Sequence, residues 1–422
     1  MRLPVLLFAL AGMAHAETFS FRLPQPAEAI VNLEMSSPGS LWSKPGHEAA
    51  MALLSVDGRP SRHVMLFAGE SRHTYSVGLG MLAAGDHRLE VTRGAKHSAA
   101  GSSFAVHAAR FRDVPRSSAE YDVVAHSPIL FARANTVGGF SDIPLLLYCE
   151  RLMEDNRPLL QYTVVFSNED GGTSTRALMA RWGRTTDIEY IYKVWLDEKG
   201  GATIQSRDHK EVAFEGRREG LHPLLIPSTQ NNMVSAEGES PVRYHLAPVE
   251  VDLSRHSREH VMDEHPVTWR VMAQELEREN KVRPFGAVDG QKIGDPRHYL
   301  YVDALLSNRH SAMAVWVRTG KGKVWHSSHL GGADYAISRD GWVRTTVELP
   351  PGSAVEDLQE LGFECLNPNP KEVAGTCRID GVAKVFFLDR GYAPGPSFWR
   401  TEERMEIPTG EMRAFPLGKP GQ

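Results

Sequence analysis

Short alternating segments, each closed off by a turn signal, recur along nearly the whole chain and constrain its fold more than any other feature. From Glu17 to about Asp113 they fall at Phe19 to Leu23, Ala29 to Met35, Ala50 to Val56, His63 to Phe67, Tyr75 to Leu79, His87 to Thr92 and Phe104 to Phe111. Asp57-Gly58 and Gly85-Asp86 are among the turns between them. Side chains on a strand alternate between two faces, so these segments read as half-buried strands, and their spacing is that of a β-sandwich. The rhythm returns from Tyr299, in Tyr299 to Leu306, Ala312 to Arg318, Trp342 to Leu349, Leu361 to Cys365 and Val382 to Leu388. Between the two lie Ile129 to Ala132, Leu145 to Cys149, Leu160 to Phe166, Asp187 to Leu196 and Leu224 to Pro227. Helical signals come only late in this middle stretch. Ser257 to His265 reads as one short turn, and Pro266 suits the first position of a second helix with Val267, Val271 and Ala273 to Leu276 as its apolar stripe. The fold class expected is mainly β, a multi-domain β-sandwich and jelly-roll architecture with a few helices at the end of the central domain.

A chain of 422 residues exceeds what one hydrophobic core supports. The expected division is a signal peptide over 1–16, an accessory sandwich over 17–115, a central β-rich domain over 119–284 and a jelly-roll-like domain over 290–415. The leader has Arg2, an apolar run from Val5 to Met13, and Ala14-His15-Ala16 before Glu17, the pattern of a cleaved secretory signal. No apolar run reaches the length of a membrane span, so the expected product is exported, periplasmic or secreted. A net charge of -5, with no local run of Lys or Arg, argues against a nucleic-acid partner. Cys365 and Cys377 flank a turn-rich segment and suit a loop-closing disulfide in an oxidising compartment, whereas Cys149 in Leu145-Leu146-Leu147-Tyr148-Cys149 reads as a small buried hydrophobe.

Chemistry-bearing residues concentrate in the middle region. Along Asp187 to Leu196, strict alternation puts Asp187, Glu189, Ile191, Lys193 and Trp195 on one face and Ile188, Tyr190, Tyr192, Val194 and Leu196 on the other. Adjacent carboxylates repel, and they persist where a cation, a basic partner or a shared proton offsets the repulsion. A solvated strand end answered by Arg181 or Arg184 is the plainer reading. Asn168-Glu169-Asp170-Gly171-Gly172-Thr173 follows the strand ending at Phe166; Asp170-Gly171 is a hairpin signal, while Glu169 and Asp170 could complete a hard-cation site, calcium favoured, with Asp187 and Glu189. His222 is the candidate general acid or base, since histidine titrates near neutrality, with Asn231 and Asn232 downstream. Arg181, Arg184, Arg207 and His209 either bind an anionic substrate such as a uronate or answer the nearby acids. There is no nucleophile elbow, helical zinc pair, phosphate loop or dinucleotide fingerprint, so no nucleotide cofactor is expected.

Two stretches carry resemblances. Gly183-Arg184-Thr185-Thr186-Asp187-Ile188-Glu189, with His126-Ser127-Pro128-Ile129-Leu130-Phe131 as an opening strand, resembles the Vps62-like and NPP1-like β-sandwich proteins, in which a Gly-(x)-Asp-Trp-Glu strand presents acids near a cation. Here Ile188 stands for the Trp, and Asn231-Asn232 falls where those families tend to show a Ser-His pair, so the resemblance implies a metal role for Asp187 and Glu189 alone. Gly341 to Leu349 followed by Pro350-Pro351-Gly352 resembles a late strand of carbohydrate-binding jelly rolls; Trp316, Trp325 and Trp342 are then either sugar-stacking or, for at least two by alternation, core residues.

Two functions compete on this sequence. One is an exported carbohydrate-active enzyme, a polysaccharide hydrolase or lyase, with Asp187, Glu189, His222, Arg184 and Tyr190 in the catalytic set and Arg181, Arg207, His209, Asn231 and Asn232 binding substrate. The other is a non-catalytic exported protein that binds a glycan or another protein, its acids holding a structural cation.

Overall fold

The computed structural model describes residues 16–133, 136–169, 171–287, 291–320, 324–329, 332–369, 371 and 375–417. The leader run and Asp170 lie outside the described residues. No described helix is long and apolar enough to cross a membrane.

Asp57 and Gly58, both at positive φ (51° and 76°), turn the chain between strands Met51–Val56 and Arg59–Met65. This is the two-residue hairpin the Asp-Gly pair encodes. Those strands join Glu17–Leu23 and Gly85–Arg93 in one antiparallel sheet, and Ala27–Ser36 pairs between His73–Leu82 and Ala105–Val114 in a second. Leu33, Met35, Leu54, Leu89 and Val91 fill the space between, and Tyr244 and Val271 from much later in the chain belong to the same apolar cluster.

The central sheet runs in the order Lys210–Ala213, Ala202–Ser206, Asp187–Trp195, Arg157–Phe166, Pro144–Glu154, Val249–Glu250. One face packs Leu147, Leu160, Val164 and Ile191 against Leu130 and Leu225 of a smaller sheet in which Ile129–Phe131 and His222–Pro227 run parallel. The other face, with Tyr148, Val165 and Ile188, is covered by helices: Met179 from Thr175–Trp182, Val261 and Met262 from His260–Glu264, and Trp269, Met272 and Leu276 from Val267–Arg278. Beyond those helices lie Tyr301 and Phe386 of the last sandwich.

That sandwich pairs Tyr299–Arg309 between Gly341–Glu348 and Thr376–Phe386 in one sheet, and Ala312–Thr319 between Val324–Ser327 and Leu358–Leu366 in the other. Cys365 and Cys377 are joined in a disulfide, and Cys149 is free and buried. The architecture is mainly β and built of several sandwich sheets, as expected.

Three local expectations are corrected. Helices are not confined to the end of the central region: Tyr121–Ala125 and Thr175–Trp182 precede the acid strand. Ser174 caps the latter, its Oγ accepting from Ala177 N–H at 3.2 Å, and Gly183 at φ 65° closes it. Strict alternation also fails along Asp187–Trp195. The ladder slips between Tyr162/Thr163 and their partners Tyr192/Tyr190, leaving Ile191 as the extra residue of a bulge. Tyr192 and Val194 therefore turn into the same apolar cluster as Val164 and Phe166, the residues opposite Glu189 and Asp187, while Tyr190 and Lys193 share the other face and both reach Glu211. Finally, Trp316, Trp325 and Trp342 are all half-buried and none belongs to the buried core of the last sandwich. Trp316 donates its indole N–H to Glu364 at 2.7 Å.

Candidate functional site

Gly183 ends the short helix, three residues bridge to the central sheet, and the strand begins at Asp187. Asp187 lies opposite Phe166 and Glu189 opposite Val164, so both acids point to the face covered by the smaller sheet. Directly after Phe166 comes the loop with Glu169, whose Oε1 accepts from Thr173 N–H at 3.0 Å. Above them the loop after His222–Pro227 brings in Asn232, fully buried and at φ 56°. Its amide donates to Asp187 Oδ2 at 3.0 Å and to Asp142 Oδ1 at 3.2 Å, while its own Oδ1 has no partner. Asp142 is ion-paired with Arg133. The Asp187 and Glu189 carboxyls share a hydrogen bond. Gln205, with its amide nitrogen turned toward Glu189, sits 3.2 Å from Glu189 Oε2 and presents its oxygen to His209 Nδ1 at 3.0 Å.

Two arginines flank the acids. Arg184 is buried and committed, with Nε on Glu259 at 3.2 Å and Nη1 on the Thr186 carbonyl. Arg258 is half-exposed, and its Nη1 donates to the Ile188 carbonyl at 2.7 Å. They do not balance the cluster. Burial, then the Asp187 charge, pushes Glu189 up to about 8 against the pull of Arg258 and Arg184. Glu169 is raised to about 7 by the same two causes, and Asp187 is raised by burial. Groups so close divide their protons as a unit, and near neutrality the unit still holds some. Among the described residues, no three His, Cys, Asp or Glu side chains are grouped as a metal would require.

Of the residues singled out in the sequence, the structure brings together Asp187, Glu189, Glu169, Arg184 and Asn232, with His209 and Asn231 at the rim through Gln205 and a 3.5 Å contact between Asn231 Nδ2 and His209 Nε2. Others stand apart. His222 lies at the far end of its strand, buried, with Nδ1 on the Ser127 carbonyl at 2.9 Å and Nε2 on Glu28 of the first sandwich at 3.1 Å. Ser127 is no nucleophile either: its Oγ donates to the Val124 carbonyl, and His245, whose Nδ1 accepts from Arg62, carries its proton on the Nε2 that faces Ser127 at 3.0 Å. Tyr190 faces away from the acids and bonds Glu211 at 3.2 Å. Arg181 stacks over Trp182 with 4.3 Å to the ring centre, and its carbonyl accepts from Arg339. Arg207 is exposed. Asp142, Gln205 and Arg258 went unread in the sequence; only the density of charge in Arg255-His256-Ser257-Arg258-Glu259 hints at the last.

No protein-family model matches the chain, and no curated protein sequence does. Among solved structures, a family two carbohydrate esterase from Clostridium thermocellum in complex with cellohexaose aligns at 16% identity and a TM-score of 0.15 over 28% of this chain. An active-site mutant of a family two carbohydrate esterase from the same organism aligns at 17% identity and a TM-score of 0.15 over 33% of this chain. The chain spans about a third of the length of those proteins, 31% and 35%. Likeness at this level carries no argument about fold or chemistry.

Proposed function

We propose that the chain is an exported carbohydrate-active enzyme that cleaves polysaccharide at the Glu169–Asp187–Glu189 cluster. The observation that carries this reading is a carboxyl, Glu189, whose proton is held up to about 8. An acid that keeps its proton at neutral pH can protonate the oxygen leaving a glycosidic bond. Asp187 and Glu189 touch, closer than the roughly 5 Å or more between the two carboxyls of a glycosidase. In this reading they act as one proton-sharing unit, and Glu169 on the neighbouring loop is the second carboxyl. Arg258, half-exposed beside the acids, is the cation a uronate carboxylate would meet, since Arg184 is already held by Glu259. Cleavage by elimination would use the ionised carboxylate as the base that removes a ring proton. The leader, with its apolar run and Ala14-His15-Ala16, supports export to the periplasm or beyond.

The test is to incubate the chain from Glu17 onward with neutral and uronic-acid polysaccharides and to measure new reducing ends. Release that disappears in Glu189→Gln, with the fold intact by circular dichroism, is the expected result. Release unchanged in Glu189→Gln and in Glu169→Gln would move the chemistry elsewhere.

A second reading is favoured by the unpartnered Asn232 Oδ1 beside three acids. Here a hard cation such as calcium replaces the shared protons, and the chain binds glycan or protein without turning it over. It predicts that calcium raises the melting temperature more at pH 8 than at pH 6, and that Asp187→Asn removes the effect.

A further inference from the structure

A cleft of about 770 Å³ opens between the first sandwich and the central sheet, away from the carboxyl cluster. Its walls are the His73–Leu82 strand, the Leu145 to Leu147 stretch, and Val267 and Thr268 at the start of the long helix. Among the described lining residues there is no Asp, Glu, Lys or Arg. Phe67, His73 and Tyr75 form an aromatic wall, with ring centroids 5.6, 5.2 and 4.8 Å apart. Aliphatic side chains make most of the remainder.

The histidines in the cleft differ. His245 has both ring nitrogens occupied, by Arg62 and Ser127. His73 and His265, which face each other closely enough to interact electrostatically, make no side-chain hydrogen bond among the described residues. Burial, then the charges of His265 and Arg270, pushes His73 down to about 4, and burial lowers His265 as well. Both are neutral imidazoles at pH 7, each with a donor and an acceptor nitrogen to offer. Clefts of this size at a junction between packed units, mostly apolar with a few convergent polar groups, are where small ligands bind.

We propose that this cleft binds an uncharged, ring-sized molecule, apolar over most of its surface and bearing one hydroxyl, with the ring against Phe67 and Tyr75 and the hydroxyl bonded to the His73 and His265 imidazoles. A charged ligand would enter a space with no counter-charge and lose its hydration. A free sugar would leave most of its hydroxyls unpaired against Leu145, Leu146 and Val267. This site does not depend on any chemistry at the carboxyl cluster.

The test is calorimetric titration of the chain from Glu17 onward with phenol, benzoate, benzylammonium and glucose at pH 7. The first three share one ring and differ in charge. Saturable binding of phenol at least tenfold tighter than of the other three is expected. Val267→Trp, which fills the cleft, should abolish it, and His73→Phe, which keeps the aromatic wall but removes the hydrogen-bonding nitrogens, should weaken it several-fold. Melting curves report whether each variant is folded; if Val267→Trp is not, His73→Phe alone decides. Equal binding of the charged rings, preference for glucose, or phenol binding unchanged in a folded variant overturns the proposal.

Discussion

Glu189 and Glu169 keep protons, up to about 8 and about 7, in a range where an unfolded-chain glutamate has lost its own. The folded state therefore binds more protons than the unfolded state as pH rises past the ordinary carboxyl range, and stability falls with pH until those folded values are passed. Buried histidines act in the opposite sense: His63 and His73, lowered to about 4, make stability rise with pH up to the ordinary histidine value near 6.5. From about pH 6.5 to 8.5, then, these lowered histidines no longer contribute and the acids do. Calorimetric melting should show a falling melting temperature across that window, with a shallower slope in Glu189→Gln and in Glu169→Gln. Slopes equal to wild type in both variants would mean these carboxyls titrate normally. At this scale the sequence showed the acids and Asn232, because their residue types advertise chemistry. It did not show Asp142 or Arg258, which reach the cluster only through tertiary folding, nor that His222 would be spent on Glu28.

The helix Thr175–Trp182 sets where the acid strand begins, and Gly183 sets where the helix ends. Gly183 adopts the left-handed conformation, and a Cβ there would come 2.7 Å from Cγ of Arg344. Gly183→Ala should cost more than the ~1 kcal/mol of left-handed strain alone, measured by denaturant unfolding. Ser174→Ala, which removes only the cap, should cost about 1 kcal/mol. If the two cost the same, the close approach to Arg344 is being relieved at no expense. Neither this helix nor the bulge at Ile191 was legible in the sequence, for different reasons. Arg176 and Arg181 interrupt the helix's apolar stripe, leaving only its Ser and Gly ends as signals. A bulge is a property of two paired strands, and one strand's letters cannot show it. The β-segments themselves were legible because a half-buried strand must alternate.

Across the whole molecule, the units expected from the sequence share their cores. Trp42 of the first sandwich is buried and donates to Glu275 of the long helix at 3.1 Å, and Trp269 of the same helix packs edge-on to Tyr301 of the last sandwich, 5.3 Å between centroids. Arg344 is fully buried between Asp303, at 2.6 and 2.7 Å, and Asp263 of the short helix, at 2.8 Å through two bonds. Removing the charge of Asp263 with Ala strands a buried guanidinium and should cost about 3–5 kcal/mol. Calorimetry should show one unfolding transition, since separate melting would expose Trp269 and Trp42 together; two resolved transitions would show that the shared cores are weak. The disulfide closes a loop of 12 residues, and its reduction should cost about 3 kcal/mol by chain entropy. The pairing was legible from turn residues between the two cysteines, whereas the helical layer joining the sandwiches was not, because Trp269 and Met272 fall outside the stripe expected for that helix.

The most direct test of the carboxyl cluster as the working centre is the release of reducing ends from a polysaccharide panel, compared between the wild-type chain and Glu189→Gln at pH 7. The account predicts release from at least one polysaccharide by the wild-type chain and loss of at least a hundredfold in the variant, in keeping with removal of a general acid. Release by the folded variant at the wild-type rate would contradict it.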